Sequence, residues 1–328
     1  MTPFNEHIRL AISMVHGHLY IDPAPNWMEH VTVKGHDYIL HPPLSAIICV
    51  PFVFFGIDDQ QLISIIFGSV SIALCYHLTK NFWTTMFFAF GTTFAYEAMN
   101  GASWDFALVA STPFTFLTLI GIKDRWPASA VGITMGLASL ARYDLALAIP
   151  ILIAKARNRS IAIFIGPALA LATYVCYNYF RFGTLNDISL WLWYFQDSYR
   201  SVSTHGPFSI YYLPFALYTL FYMAPNFSHL FPWLRPQSMG QSLLSLSPAF
   251  LMVRPSLYLL AAIVASIPSL TVYANGFTQL GCRYYIQIFP LLIASMPTDP
   301  DRRTKTLIVV SIISSLYATM VVMKWGLT

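Results

Sequence analysis

The sequence contains little charge for its length. Asp, Glu, Lys and Arg make up 10% of the 328 residues, whereas soluble domains carry about 25% of these four residue types. Hydrophobic residues reach 56%, and the mean hydropathy is +0.59. This composition excludes an ordinary soluble protein and predicts an integral membrane protein.

Other absences exclude further classes of protein. The four cysteines are far apart and match no zinc-binding or redox spacing. The net charge of +4 is small and the basic residues are dispersed, which argues against nucleic-acid binding. The first 20 residues are too polar for a signal peptide, and no internal repeat is evident.

Long apolar runs predict an all-α, polytopic bundle of membrane-spanning helices. A helix that crosses the membrane needs roughly 17–25 predominantly apolar residues. Candidate spans lie at 61–79, 82–99, 104–122, 160–180, 239–254, 255–274, 283–297 and 305–324.

The apolar run at 127–154 is interrupted by Arg142 and Asp144. The two pieces would be about 22 and 16 Å long as helices, at roughly 1.5 Å per residue, and neither crosses a hydrocarbon core of about 30 Å. Both ends of the run carry basic residues. We therefore expect the chain to enter the membrane here and to return.

Basic residues in alternate loops predict the orientation, since cytoplasmic loops are enriched in Lys and Arg. The outside segments are then 1–60, 100–104, an aromatic stretch at 181–238, and 275–283. The predicted domains are an extracytoplasmic loop at 1–60 and a bundle at 61–328. The residues assigned to the cytoplasm are Lys80, Lys123, Arg125, Lys155, Arg157, Arg159, Arg254, Arg302, Arg303 and Lys305.

The stretch "FNEHIRLAISMV" near the N-terminus predicts an amphipathic helix on the outer membrane surface. Its polar face, which carries Glu6, would look into the protein or a water-filled cavity. A turn-rich loop, a strand-like piece and a short apolar helix near 44–56 follow.

This polar N-terminal segment must cross the membrane with no span before it. We expect a missing first helix, supplied upstream or by a partner; the alternative is that the first span pulls the tail across.

Several short motifs, in this order, resemble the GT-C superfamily of polytopic glycosyltransferases. Within it, the chain is similar to the protein O-mannosyltransferase and lipid A aminoarabinose transferase group (glycosyltransferase family 39-like). The motifs are "FNEHIRLAISMVHGHLYID", "GHDYILHPPL", "GASWDF", "LARYD", "YNYFRFGT", "GQSLLSLSPA" and "GCRYYIQIFPLL". Two features depart from the group: Asn5 replaces the first residue of its acidic pair, and its first transmembrane helix is absent before Thr2.

The resemblance implies transfer of a monosaccharide from a polyprenyl-phosphate donor to a hydroxyl of a lipid, glycan or protein, with inversion. The enzyme would be multi-pass in the plasma (inner) membrane, with its active site on the extracytoplasmic side. Glu6 would be the general base, with a solvated helix-face acid as the alternative. Asn5 would hold the acceptor or orient Glu6, and Glu29 is a second candidate base.

Other polar residues of the outer segments are candidates for substrate binding. Asp22 could act as a base or simply start a turn with Pro23. The leaving phosphate needs nearby positive charge, which His41, Arg142 and Arg283 could supply. The alternatives are a structural pair of Arg142 with Asp144 and interfacial snorkelling of Arg283. Further candidates are Trp104, Asp105 and Tyr284, although Trp104 also suits the interfacial aromatic belt.

No cofactor is required for this chemistry, and a divalent cation is optional. Six histidines lie in the first 41 residues, but without an HExxH motif we assign no metal ligands. Two other functions stay open: a transporter or lipid flippase, which would favour inverted repeats and paired broken helices, and an inactive GT-C-like partner subunit.

Overall fold

The computed structural model describes residues 2, 4–156, 160–196, 204–273 and 279–326. Helices dominate these residues, with two small antiparallel hairpins, β1–β2 and β3–β4. The strands are β1 (His30–Val33), β2 (His36–Ile39), β3 (Asn226–Phe227) and β4 (Leu234–Arg235). The helices are α1 (Glu6–Val15), α2 (Pro43–Phe54), α3 (Gln60–Thr79), α4 (Phe82–Phe90), α5 (Phe94–Asn100), α6 (Ser103–Lys123), α7 (Ala128–Ala141), α8 (Ile149–Ala156), α9 (Ile165–Phe182), α10 (Ser189–Gln196), α11 (Leu213–Phe221), α12 (Leu243–Leu246), α13 (Leu257–Ala265), α14 (Ile267–Thr271), α15 (Phe289–Ala294) and α16 (Arg302–Trp325).

Four helical segments of the described chain are long and apolar enough to cross a membrane. They are Gln60–Thr79, Ser103–Lys123, Ile161–Phe182 and Arg302–Trp325, and they confirm helices where the sequence predicts spans at 61–79, 104–122, 160–180 and 305–324. The most apolar window of α6 is 83% buried, compared with 28–33% for the other three. Helix α6 is therefore the central element around which the others pack.

The other four predicted spans are wrong as continuous helices. The run at 82–99 divides into α4 and α5 at Gly91–Thr93. The run at 239–254 forms only α12 and a 3₁₀ turn, because its serines cap short turns (Ser242 Oγ accepts from Ser245 N) and Pro248 starts a new one. The run at 255–274 forms α13 and α14, which meet at Ser266. The run at 283–297 begins as a 3₁₀ helix, Arg283–Ile288, and ends as α15.

The interruption expected in the run at 127–154 is present at the charged residues. Helix α7 ends at Ala141, Arg142 adopts an extended conformation, and a 3₁₀ helix (Tyr143–Ala148) leads into α8. The run therefore consists of three short pieces. The N-terminal segment also follows expectation in outline, with α1, a hairpin that includes the strand-like piece, and the short helix α2.

The basic loops gather at one end of the bundle, which we call the basic end. Lys123 Nζ donates to Leu78 O at 2.6 Å, Asn81 Nδ2 donates to Thr298 O at 3.4 Å, and Lys155 lies over the Tyr258 ring. Of the predicted cytoplasmic residues, Arg157 and Arg159 lie outside the described residues. At the opposite end, which we call the polar end, α1 packs against the first residues of α3 and α6.

Three glycines bring α7 and the start of α9 into close contact. A Cβ added at Gly132 would lie 2.2 Å from Ile163 O, and one at Gly166 would lie 1.9 Å from Gly132 O. A Cβ at Gly136 would lie 2.3 Å from Gly166 O. Gly132 and Gly136 form the small-xxx-small spacing that lets apolar helices approach closely. The position of α7 against α9 therefore depends on the absence of side chains here.

We expect Gly136→Ala to lower the free energy of unfolding by about 1–3 kcal/mol, because the added methyl group overpacks a backbone contact that cannot yield. Thermal unfolding of the purified protein in detergent measures the change. The control is Ala168→Val, which adds volume on the exposed side of α9 and leaves this contact intact. Equal melting temperatures for Gly136→Ala and the native protein would contradict the close packing.

Candidate active site at the polar end

Helix α1 is anchored at its first turn by side chains of α3 and α6. Glu6 N donates to Ser103 Oγ at 2.8 Å, and His7 N donates to Gln60 Oε1 at 3.1 Å. The Gln60 amide nitrogen donates to Gly101 O at 2.8 Å and to Phe4 O at 3.2 Å. These bonds use the N–H groups that a helix leaves unsatisfied at its start. They hold Glu6 at a defined position over α6.

Glu6 and His41 form an enclosed pair. His41 Nε2 lies 3.3 Å from Glu6 Oε2, and the side chains are 11% and 0% exposed. Among the described residues, neither carboxylate oxygen of Glu6 accepts a hydrogen bond. Glu6 thus lies on the buried face of α1 with His7 and Leu10, in line with a polar face that looks into the protein rather than with a solvated acid. Ile12 and Val15, on the apolar face, are exposed.

Asp105 lies near this pair and has three polar neighbours. Asn100 Nδ2 donates to its Oδ2 at 2.5 Å, and Arg283 Nη1 lies 3.8 Å from its Oδ1. The Glu97 carboxyl lies beside the Asp105 carboxyl. Two carboxylates this close repel each other when both are ionised. Arg283 is the cation that faces this pair.

Aromatic rings surround the Arg283 guanidinium. It lies 5.2 Å from the Trp104 ring centroid and 5.6 Å from that of Tyr284. Phe4 contacts Trp104, with centroids 4.9 Å apart. Glu29, which is half-buried, is close enough to Arg283 to interact with it electrostatically. The fold thus brings Glu6, His41, Trp104, Asp105, Arg283, Tyr284 and Glu29 to one end of the bundle.

Asn5 and Asp22 make local contacts instead. Asn5 Oδ1 accepts from Arg9 Nε at 2.9 Å. Asp22 accepts from His36 Nδ1 at 2.5 Å and from Asp37 N at 2.8 Å. Although desolvation opposes the shift, these two hydrogen bonds hold the pKa of Asp22 below its ordinary value. Asp22 therefore has the turn-stabilising geometry that the sequence leaves open as its alternative role.

Arg142 forms an ion pair with Asp144, with Nη2 3.2 Å from Oδ2. The same Asp144 oxygen accepts from Ser269 Oγ and from Gln287 Nε2, both at 3.2 Å. This is the geometry of the structural pair that the sequence leaves open. The pair also links the 3₁₀ segment after Arg142 to the 3₁₀ segment that carries Arg283.

Four buried residues at this end are missing from the sequence-based candidates: His7, Gln60, Glu97 and Arg181. The sequence does contain a signal for Glu97, because an ionisable residue inside an apolar run is usually functional or paired. Arg181 lies within the quoted motif "YNYFRFGT" and donates to Ile39 O of the hairpin. Gln60 and His7 have no such signal, since their importance lies in contacts between distant segments.

No three His, Cys, Asp or Glu side chains within the described ranges are grouped so that they could hold a metal ion. The chain matches no model of a known protein family, no curated protein and no solved structure.

His7 makes the anchoring of α1 sensitive to pH. Burial, and secondly the neighbouring His41, lower the pKa of His7 from 6.5 to about 3, although its bond to Ser103 O opposes the shift. That carbonyl lies 2.9 Å from Nε2. Because a carbonyl only accepts, Nε2 carries the proton and the folded protein keeps the ring neutral.

We expect the native protein to lose stability as the pH falls from about 6.5 toward 3, by about 1.4 kcal/mol per pH unit. The unfolded chain protonates His7 in this range and the folded chain does not. Thermal unfolding in detergent between pH 7.5 and 5 should show a weaker pH dependence for His7→Gln, whose amide can still donate to Ser103 O. His18→Gln, at an exposed position, is the control. Equal pH dependence in native and His7→Gln proteins would contradict the assignment.

Proposed function

We propose that this protein is a polytopic membrane glycosyltransferase that moves a monosaccharide from a polyprenyl phosphate to an acceptor hydroxyl. The reaction would occur at the polar end, on the extracytoplasmic side of the plasma membrane. The observation that carries the proposal is the Glu6–His41 pair, enclosed beside Asp105, Arg283 and Trp104. Motif resemblance to GT-C enzymes supplies the donor class and the sidedness.

In this reaction the acceptor oxygen attacks the anomeric carbon, and the bond from that carbon to the phosphate oxygen breaks. The hydroxyl proton passes to Glu6, and polyprenyl phosphate leaves from the opposite face, which inverts the anomeric centre. The oxygens of Glu6 are suited to this role because they accept no other hydrogen bond among the described residues. Since Glu6 is enclosed, the acceptor reaches it only when a neighbouring segment moves.

Positive charge for the leaving phosphate would come from Arg283 and, when protonated, from His41. Arg283 Nε has no hydrogen-bond partner in the described chain, and Nη1 is too far from Asp105 for a hydrogen bond. The guanidinium therefore has donors to offer a phosphate. Trp104 presents a half-buried ring beside it, where a sugar ring could stack.

We expect Glu6→Gln to reduce sugar transfer by about 10²–10⁴-fold, the usual contribution of a general base, without loss of the folded protein. The assay reconstitutes purified protein with labelled polyprenyl-phosphate sugars and with extracts of host glycolipids and glycoproteins. Asp59→Asn is the matched control. It changes a carboxylate that caps α3 at the same end, and Asn also caps helices well.

The outcomes separate the candidate functions. Transfer that survives Glu6→Gln removes Glu6 as the base. If the folded protein transfers sugar from no donor, an inactive partner subunit is favoured. If substrate-dependent flux across the vesicles is also seen, a transporter is favoured instead.

One observation favours the transporter as the second candidate. Two 3₁₀ segments, Tyr143–Ala148 and Arg283–Ile288, each lead directly into a short apolar helix and are joined through Asp144 and Gln287. Interrupted helices with polar groups at such breaks are typical of transporter binding sites. Flux abolished by Asp144→Asn, with no transfer activity in any assay, would support this function over the first.

A further inference from the structure

A cavity of about 920 Å³ lies at the basic end, away from the candidate active site. It is bounded by the ends of α3, α6, α8 and α15 and by the start of α13. Its size is within the range of about 300–1,000 Å³ for small-molecule sites. None of the candidate residues of the polar end lines it. We call it the basic-end cavity.

The wall of the basic-end cavity is mostly apolar. Leu78, Leu119, Val131, Ile163, Ile293 and Met296 contribute to it, together with the Trp126 ring. These side chains come from α6 and from the segments that pack around it. Such a surface suits hydrocarbon better than a small hydrophilic ion.

Three cationic side chains, Lys123, Arg125 and Lys155, also line the cavity, and no Asp or Glu of the described residues does. The adjacent Asp124 faces His77, with Oδ2 3.7 Å from Nε2. Among the described residues, none of the three cations has a carboxylate within ion-pair distance. The cavity therefore combines an apolar wall with uncompensated positive charge.

The backbone holds Arg125 in an unfavourable conformation at this site. Its φ is +56°, in the left-handed region where glycine is usual. Asp124 ends α6, and Trp126 N donates to Gly121 O at 2.9 Å, which is the bond of a Schellman helix end. The position after such a helix end favours Gly. Arg125 therefore occupies it at an energetic cost, and its side chain lines the cavity.

We propose that the basic-end cavity binds an anionic phospholipid. The phosphate would contact Lys123, Arg125 and Lys155, and an acyl chain would lie along the apolar wall. Basic pockets between helices bind anionic head groups at the cytoplasmic surface, and this end carries the basic loops assigned to that side. A free anion would use the cations alone and would leave the apolar wall without a partner.

The test compares lipid binding by the folded full-length protein in zwitterionic detergent. Short-chain phosphatidylglycerol, short-chain phosphatidylcholine and inorganic phosphate are titrated separately, and the dissociation constant is measured from the thermal shift. For Arg125→Gly combined with Lys155→Gln we expect at least tenfold weaker binding of phosphatidylglycerol. The matched control is Arg302→Gln combined with Arg303→Gln, which removes two charges at the same end outside the cavity lining.

Several outcomes would overturn the proposal. If the Arg302→Gln, Arg303→Gln control weakened phosphatidylglycerol binding as much as the cavity variant does, the effect would be one of general surface charge. If the native protein bound phosphatidylcholine as tightly as phosphatidylglycerol, the cations would have no role. Affinity for inorganic phosphate as high as for phosphatidylglycerol would indicate a soluble anion instead. Arg125→Gly should not lower the melting temperature without lipid, because glycine suits this backbone. Misfolding caused by Arg125→Gly therefore does not account for lost binding, and the melting temperature of Lys155→Gln without lipid gives the same control for the second change.

A spin-labelled phosphatidylglycerol that quenches tryptophan fluorescence tests whether the lipid lies within the cavity. We expect the quenched fraction to fall in Trp126→Phe and to stay unchanged in Trp233→Phe, a variant at an exposed tryptophan elsewhere. No difference between these variants would place the lipid outside the cavity. None of these measurements depends on sugar transfer, so their outcome is independent of the proposed enzyme activity.

Discussion

The buried amide of Gln60 is the contact on which the polar end depends. Its oxygen accepts from the backbone of His7, and its nitrogen donates to Phe4 O and Gly101 O. One side chain thus joins the N-terminal segment, the start of α3 and the turn before α6. Polar groups buried without partners are costly, so these segments satisfy one another only in this arrangement. The positions of Glu6 and Ser103 follow from it.

Local pattern predicts the long helices well because their signal is contained in one segment. The spans around α3, α6, α9 and α16 are such cases. The predictions for the interrupted runs are wrong because hydropathy is averaged over a window and does not show which hydrogen bonds the backbone makes. Ser242, Ser266 and Arg142 each lie at or beside an interruption, and each offers the backbone or a neighbour an alternative hydrogen bond.

The candidate site is predictable only in part, for the same physical reason. Glu6, Asp105 and Arg283 are conspicuous as charges near apolar runs, and the fold brings them to one end. Periodicity places Glu6 on the polar face of α1, but it does not show which segments enclose that face. The apolar residues Ile12 and Val15 face outward, and Glu6 and His7 are buried by their hydrogen-bonding partners.

The charge balance of the polar end indicates where an anionic ligand would fit. The neighbouring carboxyls of Glu97 and Asp105 face the guanidinium of Arg283, which lies 3.8 Å from Asp105. His41 faces Glu6 at 3.3 Å. Each of these two basic groups therefore has a carboxyl beside it, and a phosphate is attracted only if one of them turns toward it. Arg283 is the group able to do so, because its contact with Asp105 is longer than a hydrogen bond and its Nε is unpartnered in the described chain. A phosphate that binds Arg283 would thus compete with Asp105 for the guanidinium, which couples binding of an anionic donor to the contact between Arg283 and Asp105.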